Sequence, residues 1–150
     1  MTGLFCNFAV MKRSDFEIMA PVGSYESLHA AIEAGTDAVY FGVEGLNMRS
    51  RSSNNFTLDD LRAIAATCNE HGVKTYLTVN TVIYDDDIEK CHAIIDAARE
   101  AGITAIIASD VAAILYARSV GVEVHISTQV NVTNIEAVKF YSQYADCLLY

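Results

Sequence analysis

The feature that most constrains the fold of this 150-residue chain is a repeated alternation of strand-like and helix-like segments. Short apolar, β-branched runs predict strands at 17–21, 37–42, 74–80, 105–109, 123–128 and 146–150. Apolar residues at helical spacing predict helices between them, at 24–34, 57–71, 86–101, 110–120 and 134–144. Strict alternation of this kind predicts parallel strands joined by helical crossovers.

The ends of the first four helices carry residues typical of helix caps. Each is followed by a glycine, the residue that most readily takes the left-handed stop conformation: Gly35, Gly72, Gly102 and Gly121. Each begins at a residue whose side chain caps exposed amide donors: Ser24, Thr57, Asp86 and Asp110.

Two architectures satisfy the alternation, an open doubly wound sheet and a closed barrel. No G-x-G-x-x-G follows the first strand, and polar residues gather beyond several strands, as at the site of a (β/α)8 barrel. A complete barrel needs about 250 residues. We therefore expect an incomplete, TIM-like parallel (β/α) barrel of about six strands and five helices. In this interpretation residues 1–15 are an N-terminal extension, and residues 16–150 are a barrel domain truncated at its C-terminus.

Composition narrows the classes of function. A formal charge of −9 makes the average surface repel nucleic acid, so RNA contact needs a local basic patch or another region. No apolar stretch is long enough for a membrane span. Four scattered cysteines, Cys6, Cys68, Cys91 and Cys147, form neither a zinc motif nor a disulfide framework and indicate a reducing cytoplasm. Cys68 and Cys91 fall on apolar helical stripes and are predicted to lie in the core.

The segment 125–131, HISTQVN, is the strongest candidate for a site. A buried parallel strand is usually almost continuously apolar, yet polar residues occupy every second position here. If the extended path continues, one face carries His125, Ser127, Gln129 and Asn131. Buried polar groups need partners, so this row predicts either a binding site or, for His125, a histidine bonded across strands.

A long connection at 43–55 carries Arg49 and Arg51, two of only ten basic residues. Connections of this length are usually functional or disordered. Arg49 therefore predicts an anion clamp, and a solvated loop on an acidic protein explains the same composition equally well.

Six segments, in order, resemble the collagenase-like peptidase family, numbered U-32. They are EIMAPVG (17–23), AGTDAVYFG (34–42), MR with NF (48–49, 55–56), YLTVN (76–80), ASD (108–110) and HISTQVN (125–131). The resemblance implies a TIM-like barrel that continues beyond residue 150. It also implies one of two activities. Members were first classified as proteases, and others are needed to hydroxylate a tRNA uridine (using prephenate), an rRNA cytidine, or ubiquinone without oxygen.

The resemblance also bears on cofactors. Several such members hold a four-iron cluster on cysteines located after the region present here, and the four cysteines of this chain do not correspond to those ligands. We therefore expect no metal or cofactor within the chain, and an iron–sulfur cluster only on cysteines beyond residue 150.

Proteolysis would need Ser127 activated by His125 and oriented by Asp110. Neighbouring side chains on one strand face stand parallel, and no G-x-S-x-G elbow or H-E-x-x-H motif is present. Binding of a polar, flat or anionic substrate fits better, because the carboxamides of Asn80 and Gln129 can pair with a heteroaromatic edge or a carboxylate. His125 could carry a proton, and Asp110 could orient it or only cap a helix.

These observations lead to one preferred function and two alternatives. We expect support of RNA nucleobase hydroxylation, with tRNA or rRNA contacted through regions beyond this chain and a small anion such as prephenate as co-substrate. His125 and Asp110 are the predicted catalytic residues. The predicted substrate-binding residues are Arg49, Asn80, Ser127, Gln129 and Asn131. The alternatives are peptide-bond hydrolysis and a non-enzymatic binding module. We expect a cytoplasmic protein, and an isolated fragment without activity.

Overall fold

The computed structural model describes residues 12–43, 45–47 and 56–149, and these contain one six-stranded parallel sheet and five α-helices. The strands are β1 Met19–Pro21, β2 Ala38–Phe41, β3 Lys74–Val79, β4 Ala105–Ala108, β5 Glu123–Ile126 and β6 Cys147–Leu148. The helices are α1 Tyr25–Glu33, α2 Asp60–Glu70, α3 Ile88–Ala101, α4 Val111–Ser119 and α5 Ile135–Tyr141. Every predicted strand and helix is present, with ends that differ by a few residues.

The strand order decides between the two architectures. The strands lie in chain order from β1 to β6, and each neighbouring pair is parallel. A doubly wound sheet reverses its strand order at a switch point, which places helices on both faces. Successive right-handed crossovers without a reversal keep the helices on one side. The chain is therefore an incomplete parallel (β/α) barrel, as expected.

The two faces of the sheet carry different side chains. The face toward the helices holds the main core, with Val39, Leu77, Ile106 and Val124 fully buried among helix residues. The other face, here called the concave face, has a much smaller apolar cluster of Ala38, Tyr76, Ala105 and Ile107. Because side chains alternate along each strand, the remaining concave positions are left for polar groups.

The helix ends confirm most of the cap predictions. The four stop glycines have left-handed backbones, with φ between +68° and +79°. Ser24 and Asp110 are the N-caps of α1 and α4. Thr57 was wrongly predicted as a cap: its amide and hydroxyl both donate to Asp60, so a turn precedes α2. The cap prediction at Asp86 was also wrong, because this residue lies in the 3-10 turn Asp85–Asp87 that comes before α3.

The N-terminal segment is described only from residue 12. Arg13–Asp15 form a 3-10 turn, and the guanidinium of Arg13 pairs with Asp37 at 2.8 Å. Asp37 also accepts the amide hydrogen of Ile18 at 2.6 Å, so the chain entering β1 is tied to the start of β2. The boundary at residue 15 stays a prediction. Within the described ranges, no helix is both long and apolar enough to cross a membrane.

Candidate functional site

A cavity of about 280 Å³ opens on the concave face toward the carboxyl ends of the strands. We call it the carboxyl-end cavity. Its described lining is entirely uncharged. The apolar members are Met19, Ile107 and Leu149, and the polar members are Tyr40, Thr78, Asn80, Ser127 and Thr128. These side chains come from all six strands or the residues that follow them, as expected for the site end of a (β/α) barrel.

The structure brings two of the predicted site residues together in this cavity. Asn80 follows β3 and Ser127 follows β5, and the Asn80 Nδ2 atom lies 3.5 Å from Ser127 Oγ. Ser127 Oγ also accepts the backbone amide hydrogen of Gln129 at 3.3 Å. The Ser127 side chain is buried, whereas Asn80 is half-buried. Ser127 is therefore held as an acceptor of N–H groups at the wall of the cavity.

His125 lies on the same face, but its contacts are at the other end of the strand. Its Nε2 atom is 2.8 Å from Glu123 Oε1, two residues back toward the start of β5. Its ring centroid is 4.8 Å from that of Tyr76 on β3. The His125 side chain is only 8% exposed, and its hydrogen bond goes to Glu123 instead of Ser127. The structure thus separates the roles of His125 and Ser127.

Five side chains form a second polar group near the amino ends of the strands, which we call the amino-end cluster: Glu17, Lys74, Tyr76, Glu123 and His125. The Tyr76 hydroxyl donates to Glu17 Oε1 at 2.6 Å, and Lys74 Nζ pairs with Glu17 Oε2 at 2.6 Å. The cluster thus joins the segment before β1 to β3 and, through the Tyr76–His125 ring contact, to β5.

Electrostatics within the amino-end cluster follow from these contacts. Burial, with the hydrogen bond to Glu17, raises the pKa of Tyr76 well above its ordinary value. Burial alone would raise the pKa of Glu17, but hydrogen bonds from Lys74 and Tyr76 outweigh it and hold that pKa below its ordinary value. The hydrogen bond to Glu17 raises the pKa of Lys74. These shifts favour the charged Glu17–Lys74 pair beside a neutral phenol.

Sequence reasoning did not find this cluster. Glu17 precedes β1, and its partners are distant along the chain, so no local motif joins them. A usable signal was present in β5, where Glu123 and His125 are two residues apart and therefore share a face. Lys74 and Tyr76 repeat the same spacing on β3.

Asp110 is occupied by backbone groups. Its Oδ1 atom accepts the amide hydrogen of Ala112 at 2.9 Å, which caps α4. Its Oδ2 atom accepts the amide hydrogen of Ile83 at 3.3 Å, which ties the β3–α3 connection to the start of α4. Both carboxylate oxygens therefore hold the loops beside the cavity in place.

Gln129 and Asn131 do not share a face with His125, because the extended path ends. β5 stops at Ile126, and Thr128–Val130 form a 3-10 turn. Asn131 ends this turn in the left-handed region with φ 55°, and its side-chain amide donates to the Gln129 carbonyl at 3.2 Å. Both side chains are exposed beyond the strand.

Arg49 and Arg51 lie outside the described residues, so the anion clamp stays a prediction. The structure shows how the base of their loop is closed. Val43 forms a parallel bridge with Phe56, which brings the two ends of the connection together. The buried side chain of Asn47 donates to the Val43 carbonyl, so these two residues are held together at the start of the loop.

The described cysteines do not fit an iron–sulfur cluster. Cys68 and Cys91 are fully buried in the helix-side core, as predicted, and burial raises the pKa of each thiol to about 11. Cys147 lies partly buried on β6, paired in register with His125. Among the described residues, no three histidine, cysteine or acidic side chains are grouped so as to hold a metal.

Comparison with known proteins identifies similar chains. The model of peptidase family U32 matches residues 23–145. A collagenase of Porphyromonas gingivalis is 66% identical over 139 residues, which cover 93% of this chain and 34% of that protein. A tRNA hydroxylation protein of Bacillus subtilis is 32% identical over 85% of this chain and 30% of its own length. An Escherichia coli 23S rRNA 5-hydroxycytidine synthase is 32% identical over 84% of this chain and 19% of its own length.

The chain thus spans about a third or less of the curated relatives that it matches here. Among solved structures, a U32 peptidase superposes with a TM-score of 0.72 at 13% identity. The superposition covers 88% of this chain and 57% of that one. This likeness shows the half-barrel fold.

Proposed function

This chain belongs to peptidase family U32, and we propose that it supports hydroxylation of an RNA nucleobase, a tRNA uridine or an rRNA cytidine. Two relatives that each cover more than four fifths of the chain are named for RNA hydroxylation. In this proposal the carboxyl-end cavity receives the base.

The observation that carries the proposal is the hydrogen bonding around Ser127. A serine nucleophile needs a base that takes its proton, within hydrogen-bond reach. Ser127 Oγ instead accepts N–H groups from Gln129 and Asn80, while His125 bonds to Glu123 at the far end of the strand. These hydrogen bonds support a substrate-binding role for Ser127 over a role as nucleophile.

The RNA backbone needs a different surface. A formal charge of −9 disfavours phosphate contact over most of this chain. We propose that tRNA or rRNA is held by regions beyond these residues, and that Arg49 binds a small anionic co-substrate such as prephenate. An arginine suits that task because its planar guanidinium pairs with a carboxylate in two parallel hydrogen bonds.

We propose that any redox chemistry takes place outside this chain. Because the described cysteines do not fit a cluster, we propose that any iron–sulfur cluster rests on cysteines beyond residue 150. A cytoplasmic location is part of the same proposal, supported by cysteines that are free among the described residues and by a substrate made of RNA.

The test is nucleoside mass spectrometry of total RNA from cells that lack the gene. We expect one hydroxylated pyrimidine nucleoside to disappear and to return when the wild-type gene is restored. Restoration with Asn80→Ala should leave the nucleoside reduced, whereas Asn69→Ala, an exposed position on α2, should restore it fully. An unchanged nucleoside profile in the deletion strain would refute the proposal.

Peptide-bond hydrolysis is the second candidate, favoured by the 66% identity to a protein named collagenase. It predicts that the purified wild-type protein cleaves denatured collagen and that Ser127→Ala abolishes the cleavage. Ser119→Ala, an exposed serine at the end of α4, is the matched control. Cleavage that survives Ser127→Ala would exclude Ser127 as the nucleophile.

A further inference from the structure

We infer that the carboxyl-end cavity accepts an uncharged planar ring and that the ring presents a carbonyl oxygen to Ser127, while every charged part of the substrate stays outside. This inference deepens the proposed function and rests on it for the identity of the ring. It assigns a class of ligand to the residues that line the carboxyl-end cavity.

The first argument is the charge of the lining. All eight described residues around the cavity are uncharged. A carboxylate or phosphate placed among them would lose its water and would find no charged partner within this described lining, and such desolvation is costly. The described charged groups Glu17 and Lys74 on this side of the sheet instead pair with each other in the amino-end cluster. A neutral group is therefore favoured inside the cavity.

The second argument is the hydroxyl hydrogen of Ser127. A serine hydroxyl has one donor hydrogen and an oxygen that accepts. Both contacts to this oxygen come from N–H groups, at 3.3 Å from Gln129 and 3.5 Å from Asn80. The hydroxyl hydrogen is thus available to donate toward the cavity that Ser127 lines. A ligand that enters is best held when it offers an acceptor at this position, such as a carbonyl oxygen.

The third argument is size and shape. The volume of about 280 Å³ enclosed by the described residues lies just below the range for small-molecule sites, which is about 300–1,000 Å³. Apolar side chains of Met19, Ile107 and Leu149 offer contacts to the faces of a flat ring. The polar atoms of Asn80 and Ser127 are close together, so both can form hydrogen bonds with the same edge of the ring. A pyrimidine base meets these conditions, with its sugar and phosphate left outside.

The experiment compares uracil with orotate, which is the same ring carrying a carboxylate. Each is titrated into the ¹⁵N-labelled protein while the backbone amide resonances are followed by NMR. We expect uracil to shift the resonances of Ile107, Ser127 and Gln129, and orotate to bind at least about tenfold more weakly because its charge is desolvated. Prephenate should leave these three resonances unchanged. Equal or tighter binding of orotate or prephenate at these residues would overturn the inference.

Two variants locate the contact. Ser127→Ala should weaken uracil binding about five- to tenfold, the effect of one lost hydrogen bond, and Ser119→Ala should not change it. Asn80→Asp places a carboxylate in the cavity and should weaken binding of uracil about tenfold and of orotate further. Asn69→Asp is its matched control on α2. Far-UV circular dichroism identifies a variant that fails to fold. If Ser127→Ala or Asn80→Asp is misfolded, uracil binding to the remaining folded variant tests the inference.

The outcomes separate this inference from the proposed function. Uracil binding at these residues in a protein whose deletion leaves the RNA nucleosides unchanged would support the cavity chemistry and refute the proposed function. Loss of the nucleoside in the deletion strain, without uracil binding at these residues, would support the proposed function and refute the cavity chemistry. N-acetylglycinamide, a peptide-like neutral amide, is the third probe, and its tighter binding than uracil would overturn the assignment of a ring.

Discussion

The two ends of the concave face use polar residues in opposite ways. At the amino end, Glu17, Lys74, Glu123 and His125 are charged or ionisable and satisfy one another in hydrogen-bonded pairs. At the carboxyl end, Asn80 and Ser127 are uncharged and border a cavity. In (β/α) barrels the carboxyl-end loops carry the site, and the amino end contributes to stability. The comparison teaches that position along a strand decides which partners a polar side chain meets.

The largest expected effect comes from Tyr76, the aromatic centre of the amino-end cluster. Tyr76→Ala should lower the free energy of unfolding by about 3–5 kcal/mol, because it empties a buried site and removes the bond to Glu17. Urea denaturation measures the change. Tyr76→Phe removes only the hydroxyl and should cost about 0.5–1.5 kcal/mol. A loss below about 1 kcal/mol for the alanine variant would show that this end of the sheet does not depend on the cluster.

The next effect tests which end His125 serves. His125→Ala should lower the free energy of unfolding by about 1–3 kcal/mol, since it removes the Glu123 contact and the ring packing on Tyr76. Uracil binding at the carboxyl-end cavity should change less than about twofold. His29→Ala, on the exposed side of α1, is the control. Unchanged stability together with lost RNA hydroxylation would instead establish the predicted catalytic role of His125.

Asp110 is a carboxylate near the cavity end, and both of its oxygens accept backbone amides. Asp110→Ala should cost about 1 kcal/mol of stability, the usual value of a lost N-cap. Asp110→Asn should be close to wild type, because asparagine caps equally well. Thermal unfolding of the two variants gives this comparison. If Asp110→Asn abolished RNA hydroxylation while remaining stable, the negative charge itself would be required for catalysis.

The smallest effect is the pH dependence of Glu17. Its pKa lies below the ordinary value of 4.5, so its stabilising contribution is present above that pH and is lost as the pH falls through the folded-state pKa. Glu17 and Lys74 are both partly exposed, so Glu17→Gln should cost less than about 1 kcal/mol at pH 7. Urea unfolding at pH 7 and pH 3 should show this difference disappearing in acid. A difference that grows in acid would contradict the sign.

Much of the fold was predictable because its signals are local. Apolar spacing located every α-helix among the described residues, and the left-handed glycines at positions such as Gly102 marked where helices stop. The caps were predictable where one side chain reaches its own helix, as at Asp110. The cap prediction was wrong at Thr57, whose amide and hydroxyl donate to Asp60, so that a turn precedes the helix.

The candidate site was predictable only in part. Asn80 and Ser127 follow strands, and parallel strands bring their carboxyl ends to one edge, so the topology implied that they lie near each other. The row from His125 to Asn131 depended on an extended path, and the 3-10 turn Thr128–Val130 ends that path. No rule based on alternation could foresee this turn, in which Ser127 itself accepts the Gln129 amide hydrogen.

The sequence by itself determined the alternating elements, the parallel half-barrel and the membership of family U32. Periodicity, caps and motifs each depend on residues that are close together in the sequence. Only the tertiary structure decided that His125 faces Glu123 and Tyr76 while Ser127 faces Asn80. The physical reason is that two side chains two positions apart on a strand share a face of the sheet, but each can form its hydrogen bond toward either end of the strand. That choice depends on partners such as Tyr76 and Asn80, which lie more than 40 residues away along the chain.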